Sequence, residues 1–145
     1  MLKTVKQILD EKGHEIWSVS PDDNVYDALK KMAEKNIGAL LVLEGEDLVG
    51  IISERDYARK VMLKGKSSMD TPVRDIMTPR VLYVRINQSL EDCMALMTDK
   101  RIRHLPVFEG DKLAGVISIG DVVKAIISHQ EFVIEQLENY ITVGR

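Results

Sequence analysis

One stretch of this chain occurs twice. Leu48 to Val61, Leu-Val-Gly-Ile-Ile-Ser-Glu-Arg-Asp-Tyr-Ala-Arg-Lys-Val, returns sixty-five residues later as Leu113 to Ile126, Leu-Ala-Gly-Val-Ile-Ser-Ile-Gly-Asp-Val-Val-Lys-Ala-Ile. Each copy reads as an apolar strand that ends in Ser and then opens a helix carrying Asp three residues after that Ser. A fixed-offset repeat constrains architecture more than local propensity does, because two copies of one supersecondary unit build two similar halves. The register holds through Ile16/Val81, Asp27/Asp92, Met32/Met97, Gly45/Gly110, Gly50/Gly115, Ser53/Ser118 and Asp56/Asp121. The lead-ins Val5–Leu9 and Val73–Met77 match instead at an offset of 68, so the first half carries three extra residues in its early loop.

Within each half the pattern predicts a short strand (Ile16–Val19 and Val81–Val84) followed by an amphipathic helix. Val25, Ala28, Leu29, Met32 and Ala33 form the stripe of the first helix; Leu90, Cys93, Met94 and Met97 form that of the second. Ala39–Leu43 with Leu48–Ile52, and Leu105–Phe108 with Leu113–Ile117, then predict hairpins around Gly-containing turns. Polar, turn-rich Lys64–Pro72 is expected to be the linker, dividing the chain into residues 1–66 and 67–145. The last helix outruns its counterpart, with Val123, Ile126, Ile127, Val133, Ile134 and Leu137 continuing the apolar spacing to position 141. A stripe that overhangs its own domain is expected to meet a second subunit, hence a homodimer; folding back on the monomer is the alternative.

The balance of 20 Lys and Arg against 23 Asp and Glu gives a net charge of −3, so nothing electrostatic points to nucleic acid or an anionic membrane. No apolar run approaches the ~20 residues that span a bilayer, and the N-terminal stretch shows no signal segment, so the expected location is cytoplasmic. Cys93 is the one cysteine, which excludes an intrachain disulfide and any multi-Cys metal site; its place on an apolar stripe suits an inert core thiol. His14, His104 and His129 lack metal-ligand spacing, and no nucleophile elbow, P-loop or dinucleotide fingerprint is present. The expectation is no metal and no enzyme.

Gly50-Ile-Ile-Ser53-Glu-Arg-Asp56 and Gly115-Val-Ile-Ser118-Ile-Gly-Asp121, together with Ile76-Met-Thr-Pro79 and Ile102-Arg-His-Leu-Pro-Val107, resemble a tandem pair of CBS domains, the Bateman module. The resemblance runs over essentially the whole chain and is closest to stand-alone two-domain proteins of that family. It implies a mixed α+β fold, two pseudo-symmetric β-α-β-β-α domains packed sheet to sheet. It further implies a regulatory module that binds an adenosyl ligand (AMP, ADP, ATP, NAD or S-adenosylmethionine) in clefts between the halves and signals to a partner protein. A structural adaptor without a nucleotide is the competing expectation.

Two readings apply to Ser53/Asp56 and Ser118/Asp121. Ser-x-x-Asp before an apolar run is a helix capping box, in which Ser and Asp satisfy free amides reciprocally. The resemblance implies that each aspartate also accepts the ribose hydroxyls. It likewise implies that Arg103 and His104 reach over the phosphates of a nucleotide held at Asp56, with Arg55 beside them; an exposed Arg and a half-buried His at a strand start are the alternative. The counterpart of Arg55 is Gly120 and those of Arg103 and His104 are Gly38 and Ala39, so the Asp121 site reads as electrostatically poor and the two sites as unequal. Lys60, Lys64 and Lys66 are further phosphate candidates, or a solvated helix end.

Overall fold

The computed structural model describes residues 2–143, with side chains through residue 140. In chain order the elements are α1 (Val5–Lys12), β1 (Ser18–Val19), α2 (Val25–Lys35), β2 (Ala39–Glu44), β3 (Asp47–Ser53) and α3 (Glu54–Tyr57). A π-helical turn (Ala58–Met62) and a 3₁₀ turn (Val73–Asp75) follow, then β4 (Val84–Arg85), α4 (Leu90–Lys100), β5 (His104–Glu109), β6 (Lys112–Ser118) and α5 (Ile119–Val143). The fold is the expected α+β mixture, with two three-stranded sheets ordered β1-β2-β3 and β4-β5-β6. The first strand of each sheet runs parallel to the second and is only two residues long, shorter than the sequence predicts.

The two sheets share one register. Val42 faces Gly50 and Leu40 faces Ile52 in the first hairpin; Val107 faces Gly115 and Leu105 faces Ile117 in the second. Each hairpin slips by one residue at the same place, after Val42 and after Val107. Gly45 (φ 65°) and Gly110 (φ 61°) open the turns in the left-handed region, which side chains with a Cβ adopt at a cost.

Packing divides the chain differently from the linear repeat. One compact unit is Ile16–Leu82; the other joins Met1–Glu15 to Tyr83–Arg145. The lead-ins are exchanged: Val73 and Ile76 complete the core built on Val19, Val25, Ala28, Met32, Leu40, Val42 and Ile52, whereas Val5, Ile8 and Leu9 complete the core of the second repeat. Gly50 and Gly115 make the exchange sterically possible. A Cβ on Gly50 would lie 2.6 Å from Met77 Sδ and 3.1 Å from the Thr78 carbonyl oxygen; one on Gly115 would lie 2.8 Å from Leu9 Cδ2. Leu9 and Met77 are the equivalent lead-in residues at the offset of 68, so the same contact is made once in each unit.

The segment expected as a free linker is docked instead. The Val25 and Tyr26 amides, unpaired at the start of α2, donate to the Thr71 and Ser68 carbonyls at 2.9 Å each. Buried Thr71 donates its hydroxyl to Ser67 at 2.7 Å. Polar composition here marks caps for a helix end, not solvation. The second helix of the first repeat changes type along its length: α3 passes after one turn into the π-helical turn, whose Val61 is buried in the core.

Exchange of lead-ins makes a test that neighbouring sequence would not suggest. Leu9→Ala should cost ~2–5 kcal/mol, and in hydrogen exchange it should unprotect β6 and α4 while leaving β2 and β3 unchanged. Gly50→Ala should cost ~1–3 kcal/mol in denaturant unfolding, because the Thr78 backbone oxygen cannot rotate away as a side chain can.

Candidate functional site

The repeated strand-to-helix junctions both close as capping boxes. The Ser53 N–H and hydroxyl donate to Asp56 Oδ2 at 2.9 and 3.0 Å, and the Asp56 N–H donates to Ser53 Oγ at 3.2 Å. At the second junction the Ser118 N–H donates to Asp121 Oδ2 at 2.8 Å and the Asp121 N–H returns to Ser118 Oγ at 3.2 Å. Such caps contribute about 0.5–2 kcal/mol each to a helix start. They also hold each carboxylate at the first turn of a helix, where the free amides favour negative charge.

A lysine then meets each aspartate, from a different place in the chain. Lys60, one turn further along, stands 3.3 Å from Asp56 Oδ1 and donates to the Ile76 carbonyl at 2.9 Å. Lys12, the last residue of α1, stands 2.6 Å from Asp121 Oδ2 and donates to the Val116 carbonyl at 2.9 Å. The sequence reading of Asp121 as electrostatically poor is therefore corrected. Its cation comes from the exchanged lead-in, 109 residues away, which no reading of the local motif would find. A weak signal existed, since Lys12 and Arg80 occupy equivalent positions at the offset of 68.

The other predicted residues fall as follows. Arg55 lies in the single turn of α3 and Lys60 in the π-helical turn; Lys64 lies in the turn beyond it, and Lys66 just past that turn. His104 opens β5 directly opposite Ser118, and the Arg103 carbonyl accepts the Ile119 amide at 2.8 Å. Register thus brings Arg103 and His104 to the Ser118/Asp121 junction of their own unit.

The sequence matches the CBS domain family over residues 5–63 and 73–128. The chain belongs to the CBS domain family. The mitochondrial CBS domain-containing protein CBSX3 of Arabidopsis thaliana is 40% identical to it, over 97% of this chain and 73% of that one. A protein with CBS domains from Burkholderia ambifaria MC40-6, provisionally described as a signal-transduction protein, is 56% identical with a TM-score of 0.85, covering 88% of this chain and 96% of that one. The CBS domain structure NE2398 is 54% identical with a TM-score of 0.84, covering 88% and 99%. Of the three, the Burkholderia protein is the one whose description names a signalling role.

Electrostatics differ sharply among the titratable groups of this CBS pair. Burial alone would raise the Asp121 pKa, but the Lys12 ammonium and the Ser118 amide outweigh it and leave the carboxyl below its ordinary value. Burial lowers the His104 pKa; the Lys12 and Arg103 charges add to that and Asp121 opposes it, so the imidazole is neutral at pH 7. His14 goes the other way. Its Nδ1 lies 2.9 Å from the Ala114 carbonyl and its Nε2 3.2 Å from Asp10, and since both partners only accept, both bonds form only with imidazolium. Burial, aided by the Asp92 charge, pushes the Cys93 thiol up to about 11, the inert state expected of it.

A crevice of about 110 Å³ opens between α1 and α5, lined by Lys3, Glu11, Lys12, Asp121, Lys124 and Ser128 among others. Among the described residues, no three or more His, Cys, Asp or Glu side chains are grouped to hold a metal ion, and no helix is long and apolar enough to cross a membrane.

The two histidines give opposite linkage. His104, depressed in the folded state, leaves stability intact above pH ~6.5 and removes it as pH falls through its folded pKa. His14, raised, adds stability that is present below pH ~6.5 and lost as pH rises through its folded pKa. In NMR titration His104 should titrate below 6.5 and His14 above it; the reverse order would contradict the placement of both rings.

Proposed function

We propose that this CBS pair is a regulatory sensor of an adenine nucleotide of the AMP, ADP, ATP or NAD class, acting in the cytoplasm as a homodimer on a protein partner. The observation that carries the reading is the division of labour within each carboxylate. In Asp121, the cap and the lysine both fall on Oδ2; in Asp56 the cap falls on Oδ2, with Lys60 alone near Oδ1. A carboxylate offers about four lone-pair sites, so Oδ1 is open in Asp121 and only partly engaged by Lys60 in Asp56, leaving room to accept ribose hydroxyls. The helix N-terminus and the lysine lie within reach of the adjoining phosphate.

Arg55 distinguishes the Asp56 junction, where the other repeat has Gly120. A guanidinium fork suits phosphate oxygens, so the Asp56 junction takes the phosphate-bearing ligand more tightly. Arg103 and His104 are the remaining proposed ligand-binding residues. His104, neutral at pH 7, can donate to a phosphate only through the one ring nitrogen that keeps its proton. Binding acts on a partner by favouring whichever packing the ligand holds best, and its reach is limited to its differential affinity for the two.

Calorimetric titration with AMP, ADP, ATP, NAD, NADH and S-adenosylmethionine tests this. Saturable binding should be lost in Asp56→Ala and weakened less in Asp121→Ala, with each variant's folding checked by its melting curve since the caps are also structural. If no adenosyl compound binds the wild type, the sensor reading fails and a nucleotide-free adaptor takes its place.

A further inference from the structure

We infer that the turn closing the first repeat, residues 57–69, is a docking surface for an acidic protein segment with apolar side chains among its carboxylates. This names the kind of partner left open above and rests on that reading only for there being a partner. Four cations, Arg59, Lys60, Lys64 and Lys66, and no acidic residue fall in this stretch. The chain as a whole carries −3, so the stretch at +4 stands against −7 on the rest of the molecule. Lys60 is already engaged by Asp56 and the Ile76 carbonyl. Arg59, Lys64 and Lys66 are exposed and, among the described residues, make no ion pair and no side-chain hydrogen bond. Apolar side chains stand among them: Met62 is 60% exposed, Leu63 79% and Met69 62%.

The fold does not require this composition. Val61 is the residue that enters the core. At the offset of 65 the second repeat has Ile127 for Met62, Ser128 for Leu63, His129 for Lys64 and Glu131 for Lys66. The free carbonyls of a helix end favour a cation and account for Lys64, but not for a leucine held in water beside it. Nor is the turn loose. The Leu63 amide donates to the Ala58 carbonyl at 3.0 Å, Gly65 to Met62 at 3.2 Å and Lys66 to Val61 at 3.0 Å, with Gly65 in the left-handed region (φ 65°). The Thr71 hydroxyl and the Tyr26 amide hold the Ser67 and Ser68 carbonyls. A surface fixed in advance loses little conformational freedom when a partner settles on it. Carboxylates of the partner find three unpaired cations, and its apolar side chains cover Met62 and Leu63. The −7 on the remainder of the chain selects against extended polyanions such as nucleic acid or an anionic bilayer. A short segment held at the turn lies within the ~8 Å screening distance of its cations and is spared that repulsion.

The test is fluorescence anisotropy of a fluorescein-labelled peptide of repeating Glu-Leu-Asp units, titrated with the full-length chain. Unlabelled peptide, poly-glutamate, phosphatidylserine vesicles and an oligo-thymidylate serve as competitors. The peptide should bind saturably, and more weakly as salt rises. Leu63→Ser and the double variant Lys64→Glu/Lys66→Glu should each weaken binding about tenfold, with unchanged melting curves because these side chains are exposed. In amide correlation spectra the shifted signals should fall within residues 57–69. No saturable binding, equal binding by both variants, or a competitor as effective as the unlabelled peptide would overturn the assignment. Nucleotide titration of Leu63→Ser separates this claim from the sensor reading. Adenosyl binding retained while peptide binding is lost supports the docking surface; peptide binding by a chain that takes no adenosyl compound leaves the surface standing and removes the sensor.

Discussion

Everything in this fold depends on a backbone-close approach made twice: Met77 over Gly50 and Leu9 over Gly115. Each is a lead-in residue lying against the hairpin of the other repeat. Without a Cβ on the glycine, the lead-in reaches the strand, and its apolar neighbours Val73 and Ile76, or Val5 and Ile8, fill the core behind it. Neither repeat completes its own core, because the residues that do so belong to the lead-in of the other repeat. Residues 1–66 and 67–145 therefore describe the sequence repeat, while the cores describe a reciprocal exchange.

That exchange also determines the chemistry at the ends of the third strands. Ser-x-x-Asp is a helix start in both repeats, and the capping bonds orient the carboxylate. What differs is the cation. Lys60 is local, carried by the π-helical turn that follows the cap, so the Asp56 junction brings its own charge. Lys12 reaches Asp121 only because α1 has crossed over to β6. Nearly identical motifs thus acquire different electrostatics from the same packing event, and His104, neutral beside Lys12, is a further consequence.

Helix α5 belongs to the second junction at one end and to the surface along its length. Its first turn contains Asp121, Val122 and Ala125 on its inner face are buried in the core, and Ile119, Val123, Ile127, Ile134 and Leu137 are exposed.

Much of this was legible in the sequence. The repeat announced two similar halves; the alternation of apolar runs and Gly-containing turns placed the hairpins; the 3.6-residue stripes placed α2 and α4; and Ser-x-x-Asp located both junctions. These are local patterns, in which residues a few positions apart decide the conformation. Three things were decided only by tertiary structure. The exchange of Val5–Leu9 and Val73–Met77 was not visible because a lead-in of given apolar pattern fits either sheet equally well by composition. The docking of Lys64–Pro72 on the start of α2 was hidden because polar residues that cap a helix read the same as polar residues in solvent. The Lys12–Asp121 pair was hidden because a salt bridge depends on distance in space, and 109 residues separate its partners along the chain. Sequence determines what each segment can become, and packing decides which segments meet, since burial rewards any apolar surface that fits.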